Sequence, residues 1–281
     1  DSNVDALITL KTTNASGVDI AFDATINSGK TVITVDPTND FSSSQVVYAA
    51  IGATVEDGSN NAISATSINF TTADVAAPAT PTSLAATAGN AKVVLTWTAN
   101  SESDLASYKV YGGTSASPTT VLSTITKGTD TYTHTSLTNG TPYYYRISAV
   151  DTASNESDKT SDVNATPDGI APTISSVSLA SDNSTIAVTF SEAVYNTNGG
   201  SGSLEVADFA FSISGGAATL GSATPSSISS SGNVYTLGIS LSGTPNGSET
   251  LTVNPVDDSI YDMAGNEAST SQSNNTATLN D

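Results

Sequence analysis

Leu137-Thr-Asn-Gly140-Thr-Pro-Tyr143-Tyr-Tyr145-Arg-Ile147-Ser-Ala149-Val150 decides the fold of this chain. Tyr143, Tyr145, Ile147 and Ala149 recur at every second position, the period of a strand with one buried face. Asn139-Gly140 ahead of them is turn chemistry. The same alternation of strand and turn runs outward in both directions. Thr31–Val35, Val46–Val55, Val93–Thr98, Ile186–Phe190 and Val234–Leu241 are rich in Val, Ile, Thr, Tyr and Phe, and clusters of Gly, Asn, Asp, Ser and Pro separate them. No amphipathic helix with start and stop signals interrupts them. The chain reads as all-β.

Composition limits what such a chain can do. It has 281 residues, 37% hydrophobic and 12% charged, with 27 acidic side chains against 7 Lys and Arg and a formal charge of −20. That charge repels nucleic acid and anionic membrane surfaces and attracts cations. No apolar run approaches the roughly 20 residues of a membrane-spanning helix, so membrane insertion is not expected. With no cysteine there are no disulfides and no thiolate chemistry. The chain starts at Asp1 without a visible signal peptide and reads as a mature or excised segment.

Two proline-bearing joints, Val75-Ala-Ala-Pro78-Ala-Thr-Pro81 and Thr166-Pro167-Asp-Gly-Ile-Ala-Pro172, divide the chain into residues 1–74, 75–168 and 169–281. Proline restricts the backbone, so short and stiff joints in an elongated array are expected. The three segments carry net charges of −7, −3 and −10, and the last has ten acids and no Lys or Arg.

The middle segment resembles a fibronectin type III domain over its whole length. Pro81-Thr-Ser-Leu84 looks like the entry to its first strand. Val93-Val-Leu95-Thr-Trp97 looks like the second, with the inward tryptophan, and Tyr108-Lys-Val110-Tyr111 like the third. Leu137 to Tyr143 is similar to the family's tyrosine corner, which implies a phenol bonded to nearby backbone. The last segment resembles bacterial Ig-like domains of large surface proteins through Ala171-Pro-Thr-Ile174, Ile186–Val194 and Asp262-Met-Ala-Gly265-Asn266. The resemblances imply three tandem Ig-like or fibronectin type III β-sandwiches.

The first segment repeats the last. Asp5–Leu10 aligns with Asp208–Ile213, Thr31–Val35 with Asn233–Leu237, and Val55–Asn61 with Ile260–Asn266. In this register nothing in the first segment corresponds to residues 172–203, so its sandwich lacks an opening pair of strands. Two explanations follow: a cut through a longer repeat, or a strand donated by a copy of this chain or a neighbouring Ig-like domain.

One pattern recurs in all three segments: Asp57-Gly-Ser-Asn60-Asn61, Asp151-Thr-Ala-Ser154-Asn155 and Asp262-Met-Ala-Gly265-Asn266. It is fully explained as a turn in which Asp accepts a backbone N–H two residues on and Gly or Asn takes positive φ. It also supplies the hard oxygens that Ca²⁺ requires. Asp257 and Asp258 lie close in sequence to Asp262, which makes Asp257, Asp258, Asp262 and Asn266 the metal candidates. Asp74 and Asp168 sit in the joints, where a bound Ca²⁺ would stiffen the chain. His134, the single histidine, reads as one face of the strand Thr131–Thr135, turned away from Tyr132. No nucleophile, zinc or phosphate-loop motif appears, so no catalytic residue is assigned. Trp97, Tyr108, Tyr143 and Tyr145 read as core, and Tyr111 and Tyr144 as exposed. Two tyrosines do not make a sugar platform, and surface glycans stay open as ligands.

The leading expectation is a non-catalytic spacer or adhesin stalk at a prokaryotic cell surface. The rivals are a filament subunit joined by strand donation and an accessory region of a secreted polysaccharide-degrading enzyme. Fold alone does not separate them.

Overall fold

The computed structural model describes residues 4–56 and 59–281. By Cα proximity the chain divides into two units, one of residues 1–79 with 101–106 and 149–157, the other of residues 80–100, 107–148 and 158–281. Among the described residues the regular secondary structure is strand, apart from two 3-10 turns at Asp5–Leu7 and Val206–Asp208. The all-β expectation holds.

The middle stretch holds its strands as the alternation requires. For convenience the strands are numbered along the chain: β1 (Ile8–Thr12), β2 (Phe22–Ile26), β3 (Ile33–Pro37), β4 (Val46–Ile51) and β5 (Thr66–Thr71) come first. Then follow β6 (Thr82–Gly89), β7 (Lys92–Thr98), β8 (Leu105–Gly113), β9 (Val121–Thr126), β10 (Thr131–Thr135), β11 (Tyr143–Asp151) and β12 (Val163–Ala165). These last seven make two sheets, ordered β10-β7-β6 and β12-β11-β8-β9. Val93, Leu95 and Trp97 alternate inward on β7, and Tyr145 and Ile147 do so on β11, all buried. The Trp97 ring meets the Tyr108 ring edge-on at 5.3 Å. Burying each such side chain contributes about 1.5–3 kcal/mol. The corner forms: the Thr138 N–H donates to Tyr143 Oη at 3.1 Å.

Two aromatic expectations fail here. His134 does not turn away from Tyr132. Residues two apart share a strand face, so the two rings stack at 6.2 Å, and His134 Nδ1 lies 3.1 Å from Tyr145 Oη. Burial holds the imidazole pKa below its ordinary value. Tyr111 is buried rather than exposed. The extra residue where β8 pairs with β9 is Leu122 of β9, so Tyr111 keeps the face opposite Val110, and there Lys159 Nζ covers the ring at 4.5 Å.

The last stretch contains β13 (Ile174–Leu179), β14 (Thr185–Phe190), β15 (Phe209–Ser214), β16 (Thr219–Leu220), β17 (Ile228–Ser231), β18 (Val234–Gly238), β19 (Leu241–Ser242), β20 (Thr250–Pro255) and β21 (Thr276–Thr278). Its sheets run β13-β14-β18-β17 and β15-β20-β21, with a small β16-β19 pair. Ile186, Val188 and Phe190 of β14 lie in one buried cluster with Phe209, Phe211, Leu237, Leu251 and Val253. Glu249, fully buried, closes this end. Its carboxylate accepts the Ala218 N–H at 2.9 Å, the Ala217 N–H at 2.7 Å and the Asn246 N–H at 3.0 Å. These donors, Ala218 foremost, hold its pKa down to about 2 against the cost of burial. Gly216 makes room: at φ +62 its Cβ would fall 2.1 Å from the Glu249 carboxyl.

The first stretch repeats part of this frame. Its sheet β1-β4-β5 has the order of β15-β20-β21, and β2-β3 is a separate hairpin. Ser42 N–H donates to Gln45 Oε1 as Asn246 N–H donates to Glu249 Oε2, and Thr72 N–H reaches Gln45 O as Leu279 N–H reaches Glu249 O. Gln45 therefore corresponds to Glu249, which places Ala49 on Val253. Leu10, paired with Ala49, then falls on Phe211, paired with Val253. The sequence alignment of Leu10 with Ile213 is thus two residues out of register along the first strand. A two-residue slip keeps every side chain on its face, so the alternation did not expose it.

Candidate metal centre

Asp151 ends β11 and opens a five-residue loop. The Asp151 N–H donates to Asn155 O at 3.1 Å, and the Ser154 N–H returns to Asp151 O at 3.2 Å. The closure needs a left-handed residue at the fourth position, and Ser154 has φ 74. Asp151 Oδ1 accepts the Asn155 N–H and Oδ2 accepts Asn155 Nδ2, both at 2.8 Å. Asn155 Nδ2 also reaches the main-chain oxygen of Asp74 at 3.2 Å. The loop at Asp262 repeats each contact. Asn266 gives its N–H and Nδ2 to the two Asp262 oxygens, both at 2.7 Å, and Nδ2 to Asp168 O at 3.1 Å. Gly265 takes the left-handed position at φ +85. The Asp side chain thus accepts an N–H four residues on, not two, because the loop closes between its first and fifth residues. Asp57, the first residue of the third copy, lies outside the described residues.

Each loop assembles three carboxylates. In the first unit Asp74, Asp104 and Asp151 bring one oxygen each to within 4.8 Å of the others, and in the second unit Asp168, Glu192 and Asp262 do the same. Oxygens sharing a Ca²⁺ at about 2.4 Å stand at most about 4.8 Å apart, so both sets fit that ion in spacing and donor type. The deepest member of each set is the loop aspartate, with Asp151 2% and Asp262 1% exposed. Burial pushes the Glu192 pKa up, and the charges of Asp262 and Asp168 push it further. No Lys or Arg occurs after Lys159 to offset the second set. Asp74 behaves differently. The Ser43 hydroxyl donates to it at 2.7 Å, and with the Ala76 N–H this holds its pKa down.

Of the four metal candidates, Asp262 and Asn266 lie in this constellation. Asp257 and Asp258 do not: they are exposed in the turn after β20, where the Asp258 N–H is taken by Glu267 Oε1 at 2.7 Å. Closeness in sequence brought them into the candidate set, and the direction of the turn removes them. Sequence reasoning missed Asp104 and Glu192. Both follow the second strand of their segment, β7 and β14, and each joint places an aspartate four residues before a proline, Asp74 before Pro78 and Asp168 before Pro172. Neither Asp104 nor Glu192 lies in a joint or in a repeated loop, so no repeat in the sequence marks them.

The middle segment is a fibronectin type III domain: the sequence model for "Fibronectin type III domain" matches residues 78–164. Among curated proteins, the chain is 42% identical over 100 residues to Amylopullulanase of Thermoanaerobacterium saccharolyticum, a match covering 34% of this chain and 7% of that protein. It is 41% identical over 102 residues to Exoglucanase B of Cellulomonas fimi, covering 35% of this chain and 9% of that protein. The chain therefore spans under a tenth of the length of either relative. Among solved structures, a Fn3-like protein from Clostridium thermocellum is 31% identical, with 34% of this chain and 98% of that one covered and a TM-score of 0.29. The FN1–FN3 domains of chicken CNTN1 are 16% identical, with 98% and 91% covered and a TM-score of 0.39. No helix among the described residues is long and apolar enough to cross a membrane.

Proposed function

We propose that this chain is a non-catalytic spacer region of an extracellular prokaryotic protein that processes polysaccharide, with joint loops that ligate Ca²⁺. The observation that carries the reading is the stretch of about a hundred residues shared at 42% and 41% identity with Amylopullulanase and Exoglucanase B. It favours the accessory-region expectation over an adhesin stalk, although the mechanical task is the same in both. Independently folded sandwiches hold one module away from another. Two copies of one loop, each gathering three carboxylates beside a joint, give the cation a role in that task. With the ion, like charges become shared ligands; without it, they repel.

The test is twofold. The full chain, incubated with amylose, pullulan and cellulose, releases no reducing sugar; hydrolysis of any of them overturns the non-catalytic reading. Small-angle scattering shows a narrower distribution of chain dimensions in Ca²⁺ than in chelator. Identical curves overturn the joint-stiffening role.

A further inference from the structure

Among the described residues, the first stretch has no strand in the places that β13 and β14 take in the last. In the last stretch, β14 pairs with β18 through Ile186↔Leu237 and Val188↔Tyr235, and β13 pairs with the outer edge of β14. The counterpart of β18 is β3. Among the described residues β3 pairs only with β2. The Asn27 N–H donates to Val32 O and the Thr38 N–H to Ala21 O, so even-numbered residues of β3 bond to β2. By the alternation of an antiparallel ladder, Ile33 and Val35 turn their N–H and C=O groups to the open edge. The parity matches β18, where Asn233 and Ile239 bond across to β14, and Tyr235 and Leu237 between them do so too.

The side chains agree with the backbone. An apolar cleft of about 240 Å³ opens between Ile8, Val35, Ala49, Ile51 and Ile68. The counterparts of Ile8, Val35 and Ala49 are Phe209, Leu237 and Val253, all fully covered in the last stretch. Ile68 is 64% exposed and Phe70 41%, on the strand corresponding to β21, which β13 approaches in the last stretch. An open edge above an uncovered apolar sheet is a surface for strand addition.

We infer that residues 4–79 are an acceptor for a β-hairpin supplied from outside residues 1–281. Its inner strand pairs antiparallel with β3 and sets large apolar side chains opposite Val35 and Ile33. The template for the occupant is this chain's own hairpin, Ile174–Phe190. In it Ile186, Val188 and Phe190 point inward at alternate positions and Thr185, Ala187 and Thr189 lie between them. The inference is independent of the proposed spacer function and of the metal loops.

The test adds a synthetic peptide of residues 171–192 to the full chain and follows amide hydrogen exchange. Binding is saturable at one peptide per chain. Exchange at Ile33 and Val35 slows at least tenfold, while Thr34 and Asp36, already bonded to β2, change far less. A peptide carrying Ile186→Lys and Val188→Lys gives no protection, and this control leaves the protein untouched. Faster exchange at the chain's own Ile186 and Val188, with none of the slowing at Ile33 and Val35, would mean that the peptide had displaced the chain's own hairpin from β18 and would overturn the inference. So would self-association of the chain that covers β3 without peptide, since the occupant would then be a second copy. Should the free peptide aggregate, the same hairpin tethered ahead of Asp1 by a flexible linker is the second measurement. Unprotected Ile33 and Val35 there overturn the inference as well.

Discussion

Asn266→Ala isolates the contact on which the repeated loop depends. Asp262 is 1% exposed, and both its oxygens are satisfied by Asn266, one through the main-chain N–H and one through Nδ2. Alanine keeps the first bond and loses the second, together with the Nδ2 bond to Asp168 O at 3.1 Å. A hydrogen bond to a charged acceptor contributes about 1.5–3 kcal/mol and one to a neutral carbonyl about 0.5–1.5. Asp168 is only half-buried, so water replaces part of the second loss. The expected destabilisation of the last segment is about 2–4 kcal/mol. Trp97, the single tryptophan, reports only on the middle domain. The assay is therefore native-state hydrogen exchange at Leu237 and Val253, buried in the core of the last segment. Asn155→Ala should cost a similar amount in the loop around Asp151. A loss below about 0.5 kcal/mol, the lower bound for one neutral hydrogen bond, would mean that the loop is held by its backbone alone and that the side-chain reasoning is wrong.

Tyr143→Phe removes the corner bond from Thr138 and lowers middle-domain stability by about 0.5–1.5 kcal/mol, read by urea titration of Trp97 fluorescence. Glu192→Gln raises the melting temperature of the last segment at neutral pH in chelator and removes the increment that Ca²⁺ gives to that segment. The wild-type carboxyl titrates above its ordinary range, so its ionisation opposes folding once the pH exceeds that raised value. The difference between the two proteins in chelator disappears below the ordinary carboxylate range; a lower melting temperature for the variant in chelator would contradict the repulsion. Glu249 has the opposite sign. With its pKa held down to about 2, its stabilisation is full above the ordinary glutamate value and fades as pH falls toward 2. Glu249→Gln should therefore melt lower at pH 7 and show a shallower acid slope between about pH 4.5 and 2.

The middle domain was legible because its signals are local: alternation on β7 and β11 and an Asn-Gly turn ahead of Tyr143 settle which faces are buried. Tyr111 was misjudged because the side chain that covers its ring, Lys159, comes from far along the chain and leaves no mark in a period-2 reading. The loop residues Asp151, Asn155, Asp262 and Asn266 stood out by repetition, but Asp104 and Glu192 come from far along the chain and only the fold brings them there. Asp257 and Asp258 show the converse, since proximity in sequence is not proximity in a turn. The two-residue slip in the first segment was not legible, because it leaves every side chain on its own face and only the pairing of Leu10 with Ala49 reveals it.

The most direct test of the spacer with cation-ligating joints is a pair of calorimetric melts of the full chain, in excess Ca²⁺ and in chelator at one fixed ionic strength. An ion that binds only the folded state adds about 2.7 kcal/mol at a hundred times its Kd. The account predicts a higher transition in Ca²⁺, and predicts that Asp151→Asn with Asp262→Asn abolishes the difference. Superimposable wild-type melts would contradict it, and both loops would then be turns and nothing more.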